Sequence, residues 1–357
     1  MSGQRYRVGI AVGAAVALAA AAAPAQAATS WAVLSTPNRG AIANELYGSA
    51  ALSPSSAWAV GSWYDANLAA PRTLVERWNG TAWSTVTSPN ATRYHNELRD
   101  VDATSATNAW AVGYANGDSG VNGLPRNTLA MRWNGSSWSV IATPQPGTNV
   151  RQLYGVKAFS TGEAWSVGWY YDTNFHGEAL MLHWSGSTWT QVAVPGPGTS
   201  GNSLEGIAGS APNDVWAVGY YTDSGENGVL GHPFALHYNG TSWTPAEMPE
   251  SGTGTFLHSV AALSANDVWA VGSKNGYHEP VASAGGQIQP LVQRWNGTAF
   301  AIESVPQQQF GGQLYPSPRP ADPPCSPPEP ARTTRATSAR SPTTRCRCVT
   351  TEVEGET

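Results

Sequence analysis

The stretch Asn266-Asp-Val-Trp-Ala-Val-Gly272, answered downstream by Arg294-Trp-Asn-Gly-Thr298, decides how the whole chain is read. Its first tryptophan recurs as Trp58, Trp110, Trp165, Trp216 and Trp269, at spacings of 52, 55, 51 and 53 residues. A near-constant period of this size marks stacked supersecondary units, each too small to bury its apolar face alone. The second anchor keeps step as Trp78-Asn-Gly80, Trp133-Asn-Gly135, Trp184-Ser-Gly186, Tyr238-Asn-Gly240 and Trp295-Asn-Gly297. A further aromatic follows each of these, at Trp83, Trp138, Trp189, Trp243 and Phe300.

One unit reads as four short antiparallel strands. In the second unit these are Leu98 to Ala103, Ala109 to Val112, a strand ending at Trp133, and Trp138 to Ile141. In the second of them Trp110 and Val112 share a face by the period of two, and Ala111 faces the other way, where a neighbouring sheet can approach closely. Asn-Gly between the last two strands predicts a two-residue type I′ hairpin turn, because both central residues need positive φ. A loop of two or of four residues leaves both flanking aromatics on one face. Four of these turns also match the N-glycosylation sequon, at Asn79, Asn134, Asn239 and Asn296, but turn chemistry accounts for their recurrence. Asp214 and Asp267, each before a Val-Trp, read as turn caps rather than metal ligands.

The unit resembles the kelch-type propeller blade, as in the central domain of galactose-oxidase-like proteins: an apolar strand ending in Gly, a spaced aromatic, a turn, a Trp and then a Pro. The expected double glycine is here Val-Gly, as at Val271-Gly272. Gly80 to Trp83 is similar to the sialidase Asp-box, with Trp78 where that motif places Asp. The resemblance implies an all-β fold, a β-propeller of four-stranded antiparallel blades. Five complete blades are expected, with an orphan N-terminal outer strand at Trp31 to Pro37 and an incomplete sixth blade beginning at Leu314-Tyr315.

The ends of the chain differ from the repeats. Arg5 and Arg7 precede an apolar run, and Ala25-Gln-Ala27 suits signal peptidase, so residues 1–27 read as a signal peptide and the mature protein as secreted and extracellular. No later stretch is apolar enough to span a bilayer. Residues 28–315 carry the repeats. Residues 316–357 read as a disordered Pro- and Arg-rich tail, of the composition expected from an altered reading frame or a truncation scar, or else as a genuine linker. All three cysteines, Cys325, Cys346 and Cys348, fall in that tail, so the repeats can hold no disulfide and no thiolate-bound metal. Between Ala28 and Tyr315 there are 11 basic and 19 acidic residues, which argues against a nucleic-acid partner.

Strand parity puts the loops between second and third strands on one rim, together with the connections between units. This rim is the expected ligand face. The candidate ligand-binding residues are Trp63, Tyr64, Asp65, Tyr114, Trp169, Tyr170, Asp172, Tyr220, Tyr221, Asp223 and Tyr277. Aromatic faces suit sugar rings or apolar side chains, and carboxylates suit hydroxyls; the aromatics after Val-Gly are equally suited to packing the rim. No catalytic residues are assigned. The histidines lack metal-ligand spacing, no cofactor is implied, and a galactose-oxidase-like copper site would need a Cys that the repeats lack. Two functional classes remain: a non-catalytic binding or scaffold propeller for an extracellular glycan or protein, and a carbohydrate-active hydrolase or lyase of sialidase-like type.

Overall fold

In a computed structural model the described residues are 33–305, apart from 122–123, 198–200, 226–227, 253 and 276–288. All belong to one compact unit, Met1–Pro318; a second, Arg319–Thr357, lies outside them, as do the expected signal peptide, Trp31 and Leu314-Tyr315.

The described residues form five all-β blades, over 44–85, 96–141, 148–191, 201–246 and 255–302. In each blade four strands lie side by side in chain order, every neighbour antiparallel. The first strands are Asn44–Ser53, Asn96–Ser105, Thr148–Ala158, Gly201–Ala211 and Thr255–Ser264. Single parallel bridges, Arg126 to Val150 and Gly177 to Gly201, tie blade two to three and three to four at the rim. Of the expected outer strand from Trp31 to Pro37 the structure describes residues from Val33 onward, which make no ladder, with Val33 and Leu34 exposed. Its expected partner lies downstream of Leu314, beyond the described residues, and a strand without a ladder leaves its backbone groups to water.

The hairpin between third and fourth strands is also not the expected two-residue turn. Trp78 pairs directly with Trp83 and Trp133 with Trp138, leaving a four-residue loop between them. Glycine takes positive φ in these loops, at 97° for Gly80 and 100° for Gly135, while the preceding Asn does not. The Asn79 carboxamide replaces the missing turn geometry: its Oδ1 accepts from the amides of Thr81 and Ala82 at 2.9 Å each and from the Thr81 hydroxyl at 2.8 Å. The two aromatics are thereby placed directly opposite each other.

Those paired aromatics receive the tryptophan of the preceding blade. Trp58 meets Trp133 and Trp138 edge-on at 5.2 and 5.3 Å, and Trp110 meets Trp184 and Trp189 at 4.8 and 4.9 Å. Trp165 packs on Tyr238 and Trp243, and Trp216 on Trp295 and Phe300. Such edge-to-face contacts add to the apolar area they bury. On its other side each donor tryptophan is capped from its own third strand, by Arg77, Arg132, His183, His237 or Arg294. Four apolar cores result, each shared by two consecutive blades. Among the described residues no such core joins blade five to blade one.

The Val-Gly of the repeat has a structural cause. In each first strand one residue bulges out of the ladder: Leu46 pairs with Gly61 and Gly48 with Val60, leaving Tyr47 unpaired. The register shifts in the same way at Arg99, Tyr154, Glu205 and His258. A Cβ on the glycine opposite, Gly61, Gly113, Gly168, Gly219 or Gly272, would lie 1.9 to 2.0 Å from a carbonyl oxygen of the bulged strand. Only glycine lets the two strands approach closely enough there.

Candidate functional site

The bulge turns one side chain per blade out of the pleat, and the five are of four kinds: Tyr47 and Tyr154, Arg99, Glu205 and His258. A bulge commonly serves to re-aim a side chain. Four of the five are held by the side chain two residues earlier on the same strand. Tyr47 donates its hydroxyl proton to Glu45, Arg99 Nε lies 2.8 Å from Glu97 Oε1, Tyr154 donates to Gln152 Oε1 at 3.2 Å, and Glu205 Oε1 accepts from the Ser203 hydroxyl at 2.8 Å.

Arg99 links neighbouring blades. Its guanidinium lies over the Tyr47 ring of blade one at 4.8 Å, over Tyr114 of its own blade at 5.7 Å and over Tyr154 of blade three at 6.0 Å. Guanidinium on an aromatic face is an electrostatic attraction strengthened by desolvation. His95 stacks on Tyr114 at 5.2 Å and bonds Glu97 Oε2 at 2.9 Å. Trp169 donates its indole N–H to the Tyr154 hydroxyl at 2.9 Å.

Shielding by the surrounding blades sets the charges of this cluster. Burial pushes the Glu205 carboxyl up to about 7, and pushes the His258 imidazole down to about 4. Burial also opposes ionisation of Glu97, but the His95 hydrogen bond and the Arg99 charge outweigh it and hold the carboxyl below its usual range. For Arg99 burial is again the largest influence and works against the charge; Glu97 and the surrounding tyrosines reverse it, and its pKa is raised. The Tyr47 and Tyr154 phenols are pushed up by burial. Near neutral pH Glu97 and Arg99 therefore form an ion pair, burial works against the charge of Glu205, and His258 in blade five is neutral.

The rim residues separate into two groups. Tyr114, Trp169 and Tyr220 follow Val-Gly and lie on the face of the bulged side chains: Tyr114 and Trp169 join the cluster as described, and Tyr220 packs on Phe256 at 4.8 Å. Trp63, Tyr170 and Tyr221 are one residue further on and point the other way. Trp63 lies under Arg39 at 5.2 Å, Tyr170 packs on the core between blades two and three, and Tyr221 stacks on His232 at 4.8 Å. Tyr64 is half-buried, and its amide donates to Ala43. Asp65 caps its own loop through the Asn67 amide, and Asp172 does the same through Asn174 and His176, bonds that hold its carboxyl below the usual range. Asp223 is half-buried opposite Leu230. Tyr277 lies outside the described residues. Among the described residues no group of three or more His, Cys, Asp or Glu side chains is placed to hold a metal ion, and no helix is long and apolar enough to cross a membrane.

Tyr47, Glu97, Tyr154 and Glu205 carry no motif that singles them out in the sequence, and Arg99 and His258 appear there only as one arginine and one histidine among several. Their position is nevertheless marked in the repeat: the residue after Leu46, Leu98, Leu153, Leu204 and Leu257 varies between copies, whereas the leucine never changes.

No protein family model matches the chain, and no curated protein does. Solved structures similar to it include Ycf48 bound to a D1 peptide, 13% identical over 76% of this chain and 85% of that one, at a TM-score of 0.40. Ycf48 from Cyanidioschyzon merolae is 14% identical over 76% and 88%, at 0.38. A PL25 ulvan lyase bound to GlcA(1-4)Rha3S is 12% identical over 72% and 70%, at 0.46. These are distant likenesses, and what they share with the chain is the β-propeller fold.

Proposed function

We propose that this protein is an exported, non-catalytic binding module whose ligand, an extracellular glycan or protein, is held by the bulged side chains and by Tyr114 and Trp169 beside them. A kelch-type, galactose-oxidase-like origin of the blade belongs to the same reading. The supporting observation is that one structural position carries five side chains of almost entirely different chemistry, each turned out of the pleat by a bulge that the invariant glycine permits. Packing alone would favour the same residue in every copy, as it does for the leucine before it. Aromatic faces, a guanidinium and carboxyl groups on rigid strands suit a polar ligand with apolar faces, which is the character of a sugar ring.

Glycan-array binding of the full chain, followed by protein capture from the extracellular medium, identifies the ligand class. Arg99→Ala and Tyr154→Ala are each expected to weaken binding about tenfold or more, while Asp65→Ala and Asp172→Ala, which cap their own loops, leave it unchanged. Binding lost on the loop variants and retained on the bulge variants refutes this placement.

One observation favours the carbohydrate-active reading. Glu97 is held ionised and Glu205 is raised to about 7, and both feel Arg99; environments that push two carboxyls apart in this way suit an acid and base pair. A polysaccharide cleaved by the native chain and left intact by Glu205→Gln establishes this reading over binding alone.

A further inference from the structure

Among the described residues the blade interface is built four times, and the first and last blades carry its two halves without a described counterpart. At the end formed by blade five, Trp269 occupies the donor position. Its four counterparts Trp58, Trp110, Trp165 and Trp216 are 0 to 3% exposed, whereas Trp269 is half-buried. It already carries its cap, with the Arg294 guanidinium 4.8 Å above the ring. At the end formed by blade one, Trp78 and Trp83 occupy the receiving position and meet no donor tryptophan among the described residues.

The receiving pair already has the geometry of an occupied one. Trp78 and Trp83 are 5.7 Å apart at 48°. Trp133 and Trp138, which hold Trp58, are 5.8 Å apart at 46°, and Trp184 and Trp189, which hold Trp110, are 5.8 Å apart at 55°. The polar contacts at the edge are also prepared. Between blades two and three, Thr161 O accepts from Trp184 Nε1 at 3.2 Å and from Arg132 of the preceding blade at 3.0 Å. In blade one the equivalent carbonyl, Pro54 O, accepts from Trp78 Nε1 at 2.9 Å. The residue equivalent to Arg132 at the far end is Arg294, which now rests on Asp267 at 2.8 Å. On the inner strand, where the residue after the bulge approaches the next blade, blade five presents the small Ser259 and blade one presents Gly48, so neither end blocks the approach.

We propose that these end faces dock on one another between copies of this chain, head to tail, with Trp269 of one copy seated between Trp78 and Trp83 of the next and Arg294 reaching Pro54 O. The occupant is a second copy because each end carries the complement of the other, in residue type and in geometry, and the four internal interfaces show what the complement covers. The contact is heterologous: it closes into a ring if the rotation per copy allows and otherwise continues as a chain.

Light scattering of the full chain across about a hundredfold range of concentration tests this. The native protein is expected to rise to at least twice the monomer mass. Trp269→Ala and Trp83→Ala are each expected to stay monomeric, with unchanged circular dichroism showing that they fold. Mixed in equal amounts they are expected to form a dimer and nothing larger, because one variant retains a sound receiver and the other a sound donor. Arg294→Ala, which leaves all the tryptophans in place, weakens association about tenfold, the loss of one charge-assisted hydrogen bond. A native protein monomeric at every concentration overturns the proposal, as do single variants that associate like the native chain, or a mixture no heavier than its components.

Discussion

Two positions in each blade respond differently to repetition. On the face between blades the second-strand tryptophan is the same in five copies, and its receiving pair is aromatic in all five. On the inner strand, beside the bulge, Tyr47, Arg99, Tyr154, Glu205 and His258 share a backbone geometry and little else. The first position contacts the same surroundings in each interface, so a single solution serves every copy. At the second the surroundings differ from blade to blade, as where Arg99 lies over Tyr47 and Tyr154 of the neighbouring bulges. Within one chain, repetition therefore separates a position where every copy meets an aromatic pair from a position where the residue differs from blade to blade. The glycine opposite the bulge serves both, since it repeats for steric reasons and makes the variable position possible.

The largest effect separating these regions is expected at an internal interface. Trp110→Ala removes a side chain with no exposed surface, wedged against Trp184 and Trp189, and should cost about 3 to 5 kcal/mol. Trp269→Ala, at the same place in the repeat but half-buried, with its Arg294 cap and a hydrogen bond to Asp267 and no receiving pair among the described residues, should cost about 1 kcal/mol in the monomer. Chemical denaturation of both variants at low concentration measures the difference, and equal losses would mean that the tryptophan stabilises its own blade rather than the junction.

A smaller but still large loss is expected at the glycine. Gly168→Ala places a Cβ 1.9 Å from the Gln152 carbonyl oxygen, and relieving that overlap should cost about 3 kcal/mol and displace the Tyr154 bulge. Gly162→Ala, whose nearest heavy atom would be 3.9 Å away, should change stability by less than about 0.5 kcal/mol. Thermal melts of the two decide whether the bulge is sterically fixed.

The smallest effect concerns the variable position and has the opposite sign. Glu205 binds its proton more tightly in the folded protein, with its carboxyl raised from 4.5 to about 7. Its contribution is therefore complete below pH 4.5 and lost as pH rises through 7. Glu205→Gln should abolish this decline and leave the variant more stable than the native chain at pH 8, by about 2 kcal/mol given that the group is partly exposed. Urea titrations at pH 5 and pH 8 give both numbers. A native protein equally stable at the two values would show that Glu205 is not shielded as described.

The blades were legible in the sequence because their determinants are local and repeated: the alternation around Trp110, the Asn-Gly turn and the spacing of the anchors. The turn type was not, because Asn79 supplies through its side chain the hydrogen bonds that a two-residue turn would have made through its backbone. The bulged residues were missed for a different reason. A bulge breaks the period of two from which the faces of a strand are read, so the alternation of the first strand does not mark the residue that leaves its ladder. The glycine of Val-Gly, taken only as a strand ending, was the available clue that the opposite strand leaves its ladder.

That each apolar core is shared by only two consecutive blades also bears on how the chain acquires its structure. With no core common to all, folding can begin at any junction and spread outward one repeat at a time, in the manner of a zipper rather than a single collapse. Each junction joins segments about fifty residues apart, so the search is longer than in a helical repeat, and a chain emerging from synthesis must wait for two blades before either is secure. Blades one and five, which among the described residues share a core on one side only, would then be the first to exchange their amide hydrogens and the first to open to proteases.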